Sequence, residues 1–166
     1  AQTWPEKPIK MIVPFAAGGS ADILGRIFAQ ELSKILGQSV VVENRGGAGG
    51  NIGAEIVAKS PADGYTILLA SGSMMTVNPF IYKKASINYL KDLSYISTVA
   101  SVPMVIAVSP NLPVNTLRDL IALAKTKELN FGSAGIGSQI HMANENFIYS
   151  AGIQATHVPY KGENPA

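Results

Sequence analysis

The 166-residue chain contains no cysteine. Disulfides, thiolate zinc sites and cysteine nucleophiles are therefore excluded, and the absence suits a protein that passes through an oxidising compartment. Charge is scarce as well. Asp, Glu, Lys and Arg make up 14% of the residues, and the formal net charge is +2. With no run of Lys or Arg, neither nucleic acid nor a membrane surface is an expected partner. No apolar stretch reaches membrane-spanning length before Pro, Ser or Gly interrupts it. The two histidines, His141 and His157, have no carboxylate at metal-ligand spacing, so no metal is expected. Nor is a cofactor. The start, Ala1-Gln2-Thr3-Trp4-Pro5, has no initiator Met and reads as a chain whose leader has been removed.

What is present is apolar and rich in small residues. Hydrophobic residues make up 47% of the chain, enough for a real core in one ordinary domain or two small ones. The organising stretch runs from Ile9 to Asp22, IKMIVPFAAGGSAD. Ile9, Met11, Ile12 and Val13 read as a strand, Pro14 ends it, and Gly18-Gly19 permits a tight bend. Ser20 or Asp22 then suits the cap of a helix, Asp22 more as a cap than as a ligand group. Strand, glycine turn and helix start together expose unpaired backbone N–H groups beside the positive end of a helix dipole, which favours an anion.

The same pattern recurs. Leu24, Ile27, Phe28, Leu32, Ile35 and Leu36 have helical spacing and are expected to face inward, and Gly37 ends that helix. Ser39–Glu43 reads as a strand buried on both faces. The loop Asn44–Gly50 leads to a short helix from Asn51 to Lys59, with Ile52, Ile56 and Val57 inward. Tyr65–Ala70 reads as a third strand, and Ser71-Gly72-Ser73 as a third small-residue loop. This alternation predicts a parallel sheet with ligands outside the carboxyl ends of its strands. Phe80, Ile81 and Tyr82 suit one helical turn. Tyr95–Ser109 reads as two strand segments crossing between domains near Ser101–Pro103, since Pro103 is unsuited to a central strand. Thr116-Leu117-Arg118-Asp119 matches a capping box, with Leu117, Leu120, Ile121 and Ala124 inward to about Thr126. Leu129–Ser133 is a strand, Gly132–Ser138 a fourth small-residue loop, Gln139–Tyr149 a helix capped by Ser138, and Ala155–Val158 a last strand. The second αβ unit has barely begun when the sequence stops, so a longer protein is expected. A sheet cut there exposes strand edges, and self-association of these 166 residues alone is expected.

Four stretches in this order, IVPFAAGGSAD, VVENRGGAGGNIG, FGSAGIGSQIH and HVPYKG, closely resemble the Bug (Bordetella uptake gene) family, known also as TctC. These are periplasmic solute-binding components of tripartite tricarboxylate transporters. The resemblance spans essentially the whole chain. It implies a periplasmic-binding-protein-like type II α/β fold: two lobes with mainly parallel sheets flanked by helices, the first over 1–101 and an incomplete second over 102–166. It implies no catalysis, but capture of a small carboxylate (a di- or tricarboxylate, amino acid or aromatic acid) between the lobes. Delivery to the membrane subunits of the transporter follows. By the same resemblance, Phe15, Ala17, Gly18, Gly19, Ser20 and Asp22, with Ser71, Ser73 and Asn78, form one side of the ligand site. Ser133, Ala134, Gly135 and Ser138, near His141, form the other.

Competing readings are weaker. The loop Asn44–Gly50 lacks the Gly-Lys-Ser/Thr ending of a P-loop, and Gly132–Gly137 lacks G-x-G-x-x-G spacing. A nucleotide-dependent α/β enzyme is the alternative, with Glu43 as the single candidate for a ribose partner. A serine hydrolase would need a G-x-S-x-G elbow, which is absent. His157 is read as structural.

Overall fold

The computed structural model describes residues 4–83 and 87–166. β1 (Ile9–Val13) is the central strand of a three-stranded parallel sheet, flanked by β2 (Val40–Asn44) and β3 (Thr66–Leu68). Its apolar residues are buried, with Ile12 and Val13 fully enclosed. A second parallel sheet pairs β4 (Leu129–Ser133) with β5 (Ala155–Pro159), from Leu129↔Ala155 to Ser133↔Pro159. The helices are α1 (Ser20–Leu36), α2 (Asn51–Ala58), α3 (Gly72–Thr76), α4 (Asn78–Ile81), α5 (Tyr89–Asp92), α6 (Leu117–Ala124) and α7 (Gln139–Ala151). A 3-10 turn, Ala48–Gly50, leads into α2.

Local signals hold at several ends. Gly37 closes α1 in the left-handed region, φ +67°, and its N–H donates to the Ser33 carbonyl. The Thr116 hydroxyl accepts from the Asp119 N–H at 3.2 Å while the Asp119 carboxylate accepts from the Thr116 N–H at 3.0 Å, so the capping box of α6 is complete. Ser138 caps α7 by accepting from the His141 N–H.

The helix faces are otherwise than expected. α1 lays Asp22, Gly25 and Ala29 on the sheet, leaving Ile27, Phe28 and Ile35 exposed. A Cβ on Gly25 would stand 2.9 Å from Val13 Cγ2 and 3.2 Å from Leu69 Cδ2, so close helix–sheet approach selects the small face over the bulky one. α2 likewise buries Asn51, Gly53 and Ala54, while Ile52 and Ile56 are exposed. In α6 Leu117 is exposed, whereas Ala124 is buried. β2 is an edge strand with Val41 exposed, not a strand buried on both faces. Residues 95–109 form no strand. Ile96 and Val105 are more than four-fifths exposed, none of the described strands pairs with the segment, and Pro103 has no N–H to donate.

Candidate functional site

Parallel strands deliver their following loops to one end, and here two sheets deliver them to the same place. A cleft of about 320 Å³ is lined by Pro14 and Phe15 after β1, Gly47–Gly50 after β2, Tyr82 after α4, Ala134–Ile136 after β4, and Pro159–Lys161 after β5. Its walls are mainly backbone, glycine and aromatic surface. Lys161 is one of the lining residues and makes no ion pair among the described residues.

Three hydrogen bonds join the two sides. The Ala16 N–H donates to the Lys161 carbonyl at 3.2 Å, the Tyr82 hydroxyl donates to the Ile136 carbonyl at 2.8 Å, and the Ser20 N–H donates to Glu163 Oε2 at 2.9 Å. The backbone at the crossing is tight. A Cβ on Gly162 would lie 2.7 Å from Ala16 Cβ, and one on Gly46 would lie 3.2 Å from the Lys161 carbonyl.

Of the residues singled out in the sequence, Phe15, Ala134 and Gly135 line this cleft. Ala17, Gly18, Gly19 and Ser20 belong to the same first loop but lie outside the lining, and the Ser20 amide is taken by Glu163. Neither Ser20 nor Asp22 is the N-cap of α1. Gly19 is, without a side-chain bond. Asp22 sits one turn inside and is buried, accepting from the Gly18 N–H, Arg26 Nε and Asn44 Nδ2. The Arg26 hydrogen bond is the largest influence that holds its pKa down at about 2, against desolvation that would raise it. Through these bonds Asp22 ties the first loop to α1 and β2.

Ser71, Ser73 and Asn78 lie behind the lining. The Ser71 and Ser73 hydroxyls are 3.2 Å apart. Asn78 Nδ2 donates to the Gly49 carbonyl and to Asn51 Oδ1, so it holds the second glycine loop from below. Its Oδ1 is buried with no partner among the described residues. Ser133 and Ser138 are buried beneath the fourth loop. Ser133 Oγ accepts from the Gly135 N–H at 3.1 Å and lies 2.6 Å from His157 Nε2. His157 stacks on His141, ring centres 3.9 Å apart, and on Phe131. Burial, then the His141 ring, pushes the His157 pKa below its ordinary value. His141 Nδ1 accepts from the Gly137 N–H at 3.1 Å.

The cleft residues that sequence reasoning did not select are Pro14, Gly47–Gly50, Tyr82, Ile136, Pro159, Tyr160 and Lys161. The glycine loop was visible as a loop, and HVPYKG as a motif. That Tyr82 and Lys161 meet at the cleft depends on pairing two sheets, which no local pattern encodes.

Two parallel-sheet α/β units whose loops meet at a cleft define the class of the periplasmic binding proteins. Residues 24–166 match the family model described as "Tripartite tricarboxylate transporter family receptor" (TctC), and the chain belongs to that family. It is 44% identical over 169 residues to protein BugT of Bordetella pertussis, covering all of this chain and 52% of that protein. It superposes on R. palustris Rpa4515 with adipate at a TM-score of 0.95 and 38% identity, covering 98% of this chain and 55% of that one. Against the periplasmic binding protein BugD the TM-score is 0.90 with 37% identity and the same coverage. MatC of Rhodopseudomonas palustris with bound malate gives 0.84 at 26% identity, covering 98% of this chain and 56% of that one. The chain thus spans about half the length of these relatives. Among the described residues no helix is long and apolar enough to cross a membrane.

Proposed function

We propose that this chain supplies a carboxylate-binding cleft of a periplasmic solute receptor, with residues 1–101 and 102–166 acting as opposing jaws. The ligand is a small carboxylate, delivered to the membrane subunits of a tripartite transporter, and no bond is made or broken in it. The observation that carries this reading is the meeting of the loops after β1, β2, β4 and β5 at one cleft, with Lys161 among the residues that line it. Neutral walls with one cation suit a carboxylate group on an otherwise apolar skeleton, since hydrogen bonds to an ionised acceptor are the strong ones. The likeness to structures holding adipate and malate supports the same class. Phe15, Gly47–Gly50, Tyr82, Ala134, Gly135 and Lys161 are the proposed contacts. Ala17, Gly18, Gly19, Ser71, Ser73, Asn78, Ser133 and Ser138 support them from behind.

The test is calorimetry and thermal unfolding of the full-length protein with a panel of carboxylates beginning with adipate and malate. A ligand at a hundredfold excess over its Kd stabilises the folded state by about 2.7 kcal/mol, so Tm should rise measurably. NAD and ATP should leave Tm where it is. A panel without any shift, or a shift with the nucleotides alone, would overturn the reading in favour of the nucleotide-dependent alternative.

A further inference from the structure

One peptide unit on the cleft wall is held from both sides. The Ile136 carbonyl accepts the Tyr82 hydroxyl from the opposite unit at 2.8 Å. The Gly137 N–H, on the other end of the same planar unit, donates to His141 Nδ1 at 3.1 Å. Because the peptide is rigid, the direction of one group fixes the direction of the other. The loop is closely packed at this point. Gly137 has φ +79°, and a Cβ there would collide with Ile81 Cδ1 and come within 3.0 Å of Asn78 Oδ1.

We propose that His141 is a positioning residue for the cleft: its neutral Nδ1 orients the Ile136–Gly137 peptide so that Tyr82 can bond across to it, and protonation of that nitrogen releases the link. This rests on the cleft being the ligand site.

The chemistry of the imidazole dictates the direction. Nδ1 accepts from an amide, so it must be bare, and the proton of the neutral ring lies on Nε2. Nε2 faces Glu145 Oε1 at 3.5 Å. A second proton can only enter at Nδ1, where it would point at the Gly137 N–H, and two donors cannot share a bond. Among the described residues, the titratable and charged groups that face the ring are few. Glu145 comes from α7 itself, and His157 comes from β5 at 3.9 Å between ring centres. β4 presents the uncharged Phe131. Across the cleft stands the Tyr82 hydroxyl, whose pKa burial raises, so it stays a donor. Two stacked imidazolium rings would repel, so the pair takes one charge first. Burial keeps it off His157, whose bond to Ser133 Oγ survives either direction of donation.

The experiment uses the full-length protein at pH 8 and pH 6, a span in which imidazole changes charge, with adipate as the probe. Without ligand, amide exchange of Gly137 and the ring resonances of His141 are followed by NMR. The expected result is that Gly137 protection falls as His141 gains its proton. Adipate binding is then expected to weaken by about three- to tenfold, the range for loss of one hydrogen bond. His141→Asn keeps an acceptor near the Nδ1 position but does not titrate, so the ratio of affinities at the two pH values should move towards one. His141→Phe keeps the stacking and removes the acceptor, so it should bind at pH 8 as the wild type does at pH 6. Protection of Gly137 that stays constant while His141 titrates overturns the inference, whatever adipate does. Protection that falls while no carboxylate binds at either pH upholds the positioning and sinks the carboxylate reading instead.

Discussion

The two sheets hold their halves of the cleft by different means. β1 has a ladder partner on each side and buries Ile9, Met11, Ile12 and Val13, so the first loop leaves a strand fixed by both ladders and packing. Among the described residues β4 and β5 pair only with each other, and α7 contributes no fully buried residue. The fourth loop buries Ser133, Ala134 and Ser138 and is held as well by directed bonds, from Gly135 to Ser133, from Gly137 to His141, and from Tyr82 to Ile136. Packing resists displacement in every direction, whereas a hydrogen bond resists it along one line and is lost when one partner changes protonation. Within the described residues the first jaw therefore relies more on packing and the second more on directed bonds.

The sharpest way to break that contrast is to remove one large side chain from each sheet. Ile12→Ala deletes a fully enclosed residue in the centre of β1 and is expected to cost about 2–5 kcal/mol. Phe131→Ala, in β4, loses only partial burial and its stacking on His157 and His141. Its expected cost is about 1–2 kcal/mol. Denaturant unfolding of the full-length protein, with amide exchange read separately in β1 and β4, checks both. Equal costs would remove the contrast between the two sheets.

Asp22 supplies the next largest effect and shows where the first unit departs from pure packing. Its carboxyl has a pKa of about 2 in the fold against an ordinary 3.8. A depressed carboxyl pKa contributes stability that is complete above the unfolded value. It is lost as pH falls through the folded one, here from about pH 4 to about pH 2. At neutral pH that difference corresponds to about 2 kcal/mol. Asp22→Asn should lower stability at pH 7 by about that much and flatten the decline between pH 4 and pH 2. An acid limb identical to the wild type's would mean that Asp22 is not what ties the first loop to Arg26 and Asn44.

Residue patterns carried the first unit well and the meeting of the units poorly. The Ile9–Val13 run, the glycine stop at Gly37, the Thr116–Asp119 capping box and the Ser138 cap are short-range signals, decided within a few residues, and all appear in the structure. The four motifs together reached the family. The helix faces were misjudged because hydrophobic periodicity marks the bulky stripe, while Gly25 and Gly53 decide which side can approach the sheet. A Cβ on Gly53 would lie 2.8 Å from Pro14 Cβ. Tyr95–Ser109 has strand composition, but a strand also needs an edge to pair with. The Tyr82–Ile136 link joins residues 54 positions apart in sequence, and only the folded chain brings them together.

The smallest expected effect sharpens the contrast from the second side. α6 precedes β4, and Leu117 at its start is exposed, so little packing secures its first turn. What holds that turn is the pair of bonds between Thr116 and Asp119, with the Asn115 N–H also donating to the carboxylate at 3.2 Å. The bond with Thr116, followed by that from Asn115, keeps the Asp119 pKa below its ordinary value. Thr116→Ala removes the hydroxyl and should cost about 1 kcal/mol, as the loss of an N-cap does elsewhere. NMR titration should show the Asp119 pKa rising towards the ordinary carboxylate value, and amide exchange should quicken in the first turn of α6 while β1 is unaffected. Exchange that quickened equally in both regions would show that the units unfold as one, and the contrast between the two sheets would be lost.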